Sequence, residues 1–307
     1  MFRMNGVQRI VSMGMVTLAL GACGDLLTVS DPQAYTASDL DNALPAIANG
    51  VEGAFHEQVD SWAVDMALLS DTYQHTGTWS GYDEVDHGRF QYATSTLDGE
   101  MNSWLRARWF AQDAQERLER VLEGAAATDP MMAQIQLTAG LLDLYMGMTF
   151  CEAPTAQEEA AAPYTTILGQ AVTKLTTAIA TAAGSGTSST YGQAALAGRA
   201  TAQWALGNLG PAAADAAGVN AGFSYDAIFN QQSTNSIVTL TTKGFNEAGA
   251  LMYTQWNQID STDAPSFMRD FITDEPDPRK PVWFDGEIAT DNETPHRSQY
   301  KYDSETD

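Results

Sequence analysis

From Met101 to Val219 apolar residues return at three- and four-residue steps with only short interruptions, and this constrains the chain more than any other feature. Met101, Trp104, Leu105, Trp109, Leu118, Val121 and Leu122 fall on one face, so Met101–Glu123 is expected to be a helix that Gly124 ends. Asp113–Arg117 and Glu116–Arg120 add acid-first charge pairs four residues apart. Asp129-Pro130 reads as cap and first turn of a second helix, carrying Ile135, Thr138, Leu141, Leu142, Tyr145 and Met148. A third is expected over Tyr164–Ala183, with Leu168, Ala171, Val172, Leu175 and Ile179 inward. After a Gly/Ser/Thr break at Gly184–Thr190, Gly192–Val219 reads as an Ala-rich helical hairpin whose small residues permit a close crossing. Trp104, Trp109 and Trp204 stand at core spacing on these helices and are expected to pack inside.

The fold class expected is therefore mainly α. The hairpin resembles a tetratricopeptide unit, with Trp204, Leu206 and Gly207 in the places of its aromatic and its Leu-Gly before the turn. Upstream, helices are expected over Ala46–Gln58 and Trp62–Leu69. Residues 70–100 are rich in Gly, Asp, Thr and aromatics without a sustained period, which predicts a long loop region of the kind that often carries function. Residues 220–307 read as loop-rich, with Ile237–Thr242 alternating as a short strand.

The N-terminus carries a different signal. Arg3 and Arg9 precede an eleven-residue, mostly apolar run, Ile10–Leu20, which is the layout of a secretory signal peptide and too short for a spanning helix. Leu20-Gly21-Ala22-Cys23 resembles the lipobox of bacterial lipoproteins. That resemblance implies cleavage after residue 22 and lipid on Cys23, so the protein is tethered to a membrane by several acyl chains. Residues 23–41 then form a polar, Asp-rich spacer, and 42–307 a single domain. With Cys23 acylated, Cys151 has no partner within the chain, and the fold must stand on its core without a disulfide.

Two of the fifteen basic residues and none of the 39 acidic ones lie in 1–22, so the formal charge changes from −24 to −26 when that segment is removed. Such a surface repels nucleic acid, which is not expected as a partner. Among enzyme signatures, no phosphate-cradling Gly-rich loop, paired-cysteine zinc pattern, Gly-x-Ser-x-Gly or His-Glu-x-x-His is present, and the four histidines are too scattered to pair on a helix. Asp83, Glu84, Asp86 and His87 cluster in "YDEVDHGRF" without calcium-loop spacing and read as a solvated acidic turn. No catalytic residue, metal or cofactor is expected.

Several segments in order resemble the SusD/RagB family of outer-membrane nutrient-binding lipoproteins. They are "LLSDTYQ" (Leu68–Gln74), "NSWLRARWFAQDAQERLERV" (Asn102–Val121), "LLDLYMGMTFCEAP" (Leu141–Pro154) and "FSYDAIFNQQSTNSIV" (Phe223–Val238), followed by "DPRK" (Asp277–Lys280) and "QYKYD" (Gln299–Asp303). The chain departs from the family at Gln112-Asp113, where Ala-Asn is usual, and at Cys151-Glu152, which replaces Gly-Asp. Members continue beyond the point matching Asp307, so the resemblance implies a shortened member or a fragment.

The resemblance implies a tetratricopeptide-like helical scaffold with a loop-rich face that binds oligosaccharide, glycan or peptide. It further implies a lid role on a SusC-like TonB-dependent transporter, at the surface of the outer membrane, without covalent chemistry. Under that reading Tyr73, Trp79 and Tyr82 are the candidate ligand-binding residues, because an aromatic plane packs on the C–H face of a sugar. The alternative for Trp79 and Tyr82 is that they anchor the segment to the core. Two other functions fit a helical lipoprotein: a scaffold for envelope assembly, and a helical glycan hydrolase or lyase.

Overall fold

The computed structural model describes residues 36–70, 73–75, 77, 79–91, 95–155, 159–229 and 236, and strands at 251–253, 282–288 and 295–299. The described part is mainly helical, as the periodicity requires. The chain divides into two compact units, 1–43 and 44–307. In the first, a short helix, α1 (Ala37–Asp41), forms within the expected spacer. Thr36 and Asp39 cap it reciprocally: Thr36 Oγ1 accepts from the Asp39 amide at 3.3 Å, and the Asp39 carboxylate accepts from the Thr36 amide at 2.8 Å. Cys23 and the expected signal peptide lie outside the described residues.

The second unit is built around α5 (Pro130–Thr149). Asp129 caps it, its Oδ1 accepting from the Met131 amide at 2.8 Å, with Pro130 in the first turn as expected. From Met132 to Leu144 every residue of α5 is buried, so the helix has no solvent face along that stretch and must be the core of the unit. Around it pack α2 (Leu44–Leu69), α4 (Ser95–Leu122), α6 (Tyr164–Ser185) and α7 (Gln193–Ala205), while α8 (Leu209–Ala217) pairs with α7.

Small residues set the spacing of these helices. Gly140 and Gly147, one heptad apart on α5, face Leu175 and Leu168, one heptad apart on α6. A Cβ at Gly140 would lie 2.6 Å from Leu175 Cγ, and one at Gly147 would lie 2.8 Å from Leu168 Cγ. Two leucine knobs thus occupy holes that only glycine leaves open. Gly198 does the same on α7, where a Cβ would approach Leu141 Cδ2 to 2.9 Å.

This geometry corrects the expectation for the tryptophans. Trp104 is buried, but Trp109 is 54% and Trp204 62% exposed. Five residues beyond Trp104 a helix has turned about 140° past full circle, so Trp109 points away from the face made by Trp104, Ala107, Ala111, Ala114 and Leu118. On α7 the buried face is Ala194, Ala195, Gly198 and Ala202. Small residues make up most of these inward sides, with Trp104 the one tryptophan of the three among them.

Three further boundaries differ from expectation. α2 is one continuous helix of 26 residues, because the polar residues His56, Gln58 and Asp60 are buried on it instead of ending it. Residues 70–100 hold a strand, β1 (Tyr73–His75), a helix, α3 (Ser80–Asp86), and the first turn of α4, which begins six residues earlier than its periodicity suggested. α4 ends at Leu122 and passes into a 3-10 turn at Glu123–Thr128, with Glu123 rather than Gly124 at positive φ. α6 ends as expected of a glycine stop: Gly186 is left-handed (φ 78°) and the Thr187 amide donates to Ala182 O at 2.9 Å.

The strands form three antiparallel pairs: β1 with β4 (Leu251–Tyr253), β2 (Glu152–Pro154) with β3 (Ala161–Pro163), and β5 (Val282–Ile288) with β6 (Pro295–Gln299). The expected strand at Ile237–Thr242 lies outside the described residues. Among the described residues, no helix is long and apolar enough to cross a membrane.

Candidate functional site

The three candidate aromatics come together where α2, β1 and α3 meet, but at different depths. Tyr73 is only 4% exposed and packs with Val64, Leu68 and Val85. Tyr82, half-buried, lies against the same cluster. Trp79, 47% exposed, stacks on Tyr82 with ring centroids 5.6 Å apart and planes 28° from parallel. Tyr73 is therefore a core residue, Tyr82 an intermediate layer, and Trp79 alone offers an open face.

Beneath Tyr82 sits a group of carboxyls that the sequence reading missed. Burial, and then the nearby Glu100, push the Asp65 carboxyl up to about 7. Burial also raises Glu100, against a hydrogen bond from Ser61, and one of its oxygens is buried without a hydrogen-bond partner. Asp60 is raised by burial although it accepts the Ser236 amide at 2.9 and 3.1 Å. Burial and then Asp65, Glu100 and Asp60 push the Tyr82 hydroxyl up to about 12. No cation pairs with these carboxyls among the described residues, so a retained proton is what keeps Asp65 beside Glu100. Asp65 is 95% buried. The acidic cluster of "YDEVDHGRF" is separate: it folds as α3 and its C-cap, where Asp83 pairs with Arg89 at 2.8 Å and accepts from or faces His87.

The second assembly is a cleft of about 880 Å³ between α4 and α6, with Ala139 of α5 in its lining and Pro154 and Thr155 of the β2–β3 hairpin at one end. Its shape depends on Arg108. The guanidinium donates from Nε to Asp143 Oδ1 at 2.7 Å, from Nη1 to Pro154 O at 2.6 Å, and from Nη2 to Thr155 O at 2.9 Å and Gln170 Oε1 at 3.3 Å. These bonds hold the hairpin against α4 and α6 and leave Arg108 little capacity for a ligand. On the other side of Asp143, Lys174 Nζ stands 2.6 Å from Oδ2, an ion pair whose angles fall outside hydrogen-bond geometry. Lys174 is more than a third exposed toward the cleft, whereas Asp143 is fully buried.

The open wall of the cleft is α4. Arg106, Trp109, Gln112, Gln115, Glu116 and Glu119 line it. Gln112 donates to Glu116 and Gln115 to Glu119, each at 2.9 Å, so the two carboxylates are held in place along the helix. An exposed indole face beside amide and charged groups is a surface that can hold a ring or a planar polar group. Sequence spacing could not find it, because Arg108, Asp143 and Lys174 lie more than thirty residues apart. One signal was available: Asp143 is the only charged residue between Asp129 and Glu152.

A shallower, mostly apolar concavity of about 510 Å³ lies at the far end of α5, lined by Met148, Phe150, Tyr164, Leu168 and Trp204. Cys151 borders it, exposed and without a disulfide among the described residues. Comparison of the chain with protein-family models, with curated proteins and with solved structures found no match.

Proposed function

We propose that this protein is a lipid-anchored envelope protein that captures a nutrient, an oligosaccharide, glycan or peptide, and delivers it to a SusC-like TonB-dependent transporter. The observation that carries the reading is the α4–α6 cleft, where Trp109 exposes its ring beside Gln112 and Gln115. That combination supplies an apolar face and hydrogen-bonding groups for a polar solute. In this reading α5–α6 and α7–α8 act as tetratricopeptide-like pairs of a SusD-like scaffold, and the lipobox-like Leu20–Cys23 supplies the anchor.

The test is calorimetry of the mature chain against a panel of glycans, oligosaccharides and peptides. Trp109→Ala should weaken the ligand found by about tenfold, the size expected for losing an aromatic platform, without lowering the melting temperature. A panel that yields no ligand, or a Trp109→Ala variant that binds normally, would overturn the capture site. Cys23→Ala should abolish incorporation of labelled fatty acid in cells, and equal labelling would overturn the anchor. A scaffold for envelope assembly is the second reading, favoured by the exposed apolar concavity around Trp204. It would replace the first if Trp204→Ser disrupted assembly of envelope complexes while Trp109→Ala changed nothing.

A further inference from the structure

The α4–α6 cleft has a charge direction, and this restricts what it can hold. At the hairpin end are Arg106, which forms no ion pair among the described residues, and Lys174, whose ammonium keeps donors beyond its contact with Asp143. Asp143 is already balanced by Arg108, so Lys174 adds positive character there. At the opposite end are Glu116 and Glu119. Arg106 and Lys174 are two of only fifteen basic residues in a chain with 39 acidic ones, so their convergence on one cleft is not a general property of the surface.

The separation is fixed by the helix. From Arg106 to Glu116 and Glu119 is ten to thirteen residues of α4, or roughly 15–20 Å at the α-helical rise. Trp109 and Gln112 lie between these ends. An extended peptide advances about 3.3–3.6 Å per residue, so roughly four to six residues span the same distance. Its carboxylate end would meet Arg106 and Lys174, its ammonium end would meet Glu116 and Glu119, and its backbone would cross the Trp109 face. A neutral oligosaccharide would bring no opposite charge to either end.

We infer that the α4–α6 cleft binds short peptides of about four to six residues with both termini free, oriented with the C-terminus at the β2–β3 hairpin. This inference rests on the capture reading and narrows its ligand class. The probes are the pentapeptide Ala-Gly-Leu-Gly-Ala with free termini, its N-acetylated form, its C-amidated form, and maltopentaose, each titrated into the mature chain by calorimetry. The free peptide should bind, and blocking either terminus should weaken it by about three- to tenfold, as expected for loss of one charge-assisted contact in a partly exposed site.

Charge variants assign the ends. Arg106→Gln should reduce the penalty for C-amidation, Lys174 remaining, while leaving the penalty for N-acetylation unchanged. The double variant Glu116→Gln/Glu119→Gln should do the reverse. Equal binding of free and doubly blocked peptide, or equal weakening of every probe by both variants, would overturn the inference. Maltopentaose binding that depends on Trp109, with no peptide binding, would also overturn it while leaving the capture reading intact. No binding by any probe, with Trp109→Ala silent, would remove both.

Discussion

Two buried aspartates on neighbouring helices meet the same problem in opposite ways. Asp143, at the centre of α5, is fully buried with Arg108 on one oxygen and Lys174 on the other, and the Arg108 fork links it outward to the hairpin that bounds the cleft. Asp65, on α2, is almost as deeply buried but has Glu100 nearby and no paired cation among the described residues, so it holds its proton up to about pH 7. A carboxylate with a cation on each side fixes geometry at any ordinary pH. A carboxyl that depends on a proton fixes it conditionally. The α4–α6 cleft is built on the first kind of support, and the Trp79–Tyr82 stack on the second.

Removing the cation-supported aspartate should have the largest effect. In Asp143→Ala, Arg108 stays buried without its counter-charge, and breaking such a pair costs about 3–5 kcal/mol. Denaturant unfolding of the variant against wild type measures this. A loss below about 1 kcal/mol would place the pair among exposed ones and dissolve the contrast.

The second prediction concerns Asp65 and has a definite sign. Its folded pKa, about 7, lies above the ordinary value of 3.8, so the folded state binds the proton more tightly than the unfolded state. Stability is therefore undiminished below pH 4, falls as pH rises from about 4 to about 7, and carries the full penalty above that, at most about 4 kcal/mol. Glu100 and Asp60 are raised too and add slope of the same sign. His56, lowered by burial, acts oppositely as pH falls, and the comparison of variant with wild type cancels it. Asp65→Asn should match wild type near pH 4 and exceed it at pH 8. Identical pH profiles would show that Asp65 holds no proton.

How much of this was legible in the sequence follows from which interactions are local. The α5 cap at Asp129-Pro130 is local chemistry and stands where it was read, whereas α6 runs two residues past its expected end at Ala183 and stops at Gly186, inside the expected break. Trp104, Leu118 and the small residues of the α7–α8 crossing were read correctly as inward, but Trp109 and Trp204 were misplaced, because periodicity weights large rings that lie off the buried face. Tyr73 was placed among ligand groups because its segment lacks a period. Its burial depends on Val64, Leu68 and Val85, which only the tertiary fold brings beside it. Asp65 and Glu100 are 35 positions apart, and no spacing rule joins them. Trp79 and Tyr82 were named from the sequence and stack on one another in the structure, while the cleft beside Trp109 was not foreseen.

The tight packing beside Asp143 predicts the next effect in size. Gly140→Ala would place a Cβ 2.6 Å from Leu175 Cγ and 3.2 Å from the Leu175 amide nitrogen, so backbone as well as side chain must move. Overpacking of that kind costs about 1–3 kcal/mol. Gly53, on the α2 side of the comparison, has nothing within 4 Å of an added Cβ, and Gly53→Ala should instead stabilise by about 0.5–1 kcal/mol. Thermal melts of the two variants should move in opposite directions. Parallel shifts would mean that α5 and α6 can separate as freely as exposed helix surface accepts a methyl group.

The smallest effect is expected at Lys174, and it shows which cation supports Asp143. Arg108 is buried, donates to Asp143 in good geometry at 2.7 Å, and is fixed by four further acceptors. Lys174 lies as close to the other oxygen but is 39% exposed, outside hydrogen-bond angles, and free to be hydrated. Its attraction is screened by water, and pairs of this exposure contribute about 0–1 kcal/mol. Lys174→Gln should therefore lower unfolding stability by less than about 1 kcal/mol and leave the hairpin docked, since Arg108 still holds Pro154 and Thr155. A loss approaching that of Asp143→Ala would mean that one guanidinium does not balance Asp143 by itself. Asp143 would then need both cations as Asp65 needs its proton.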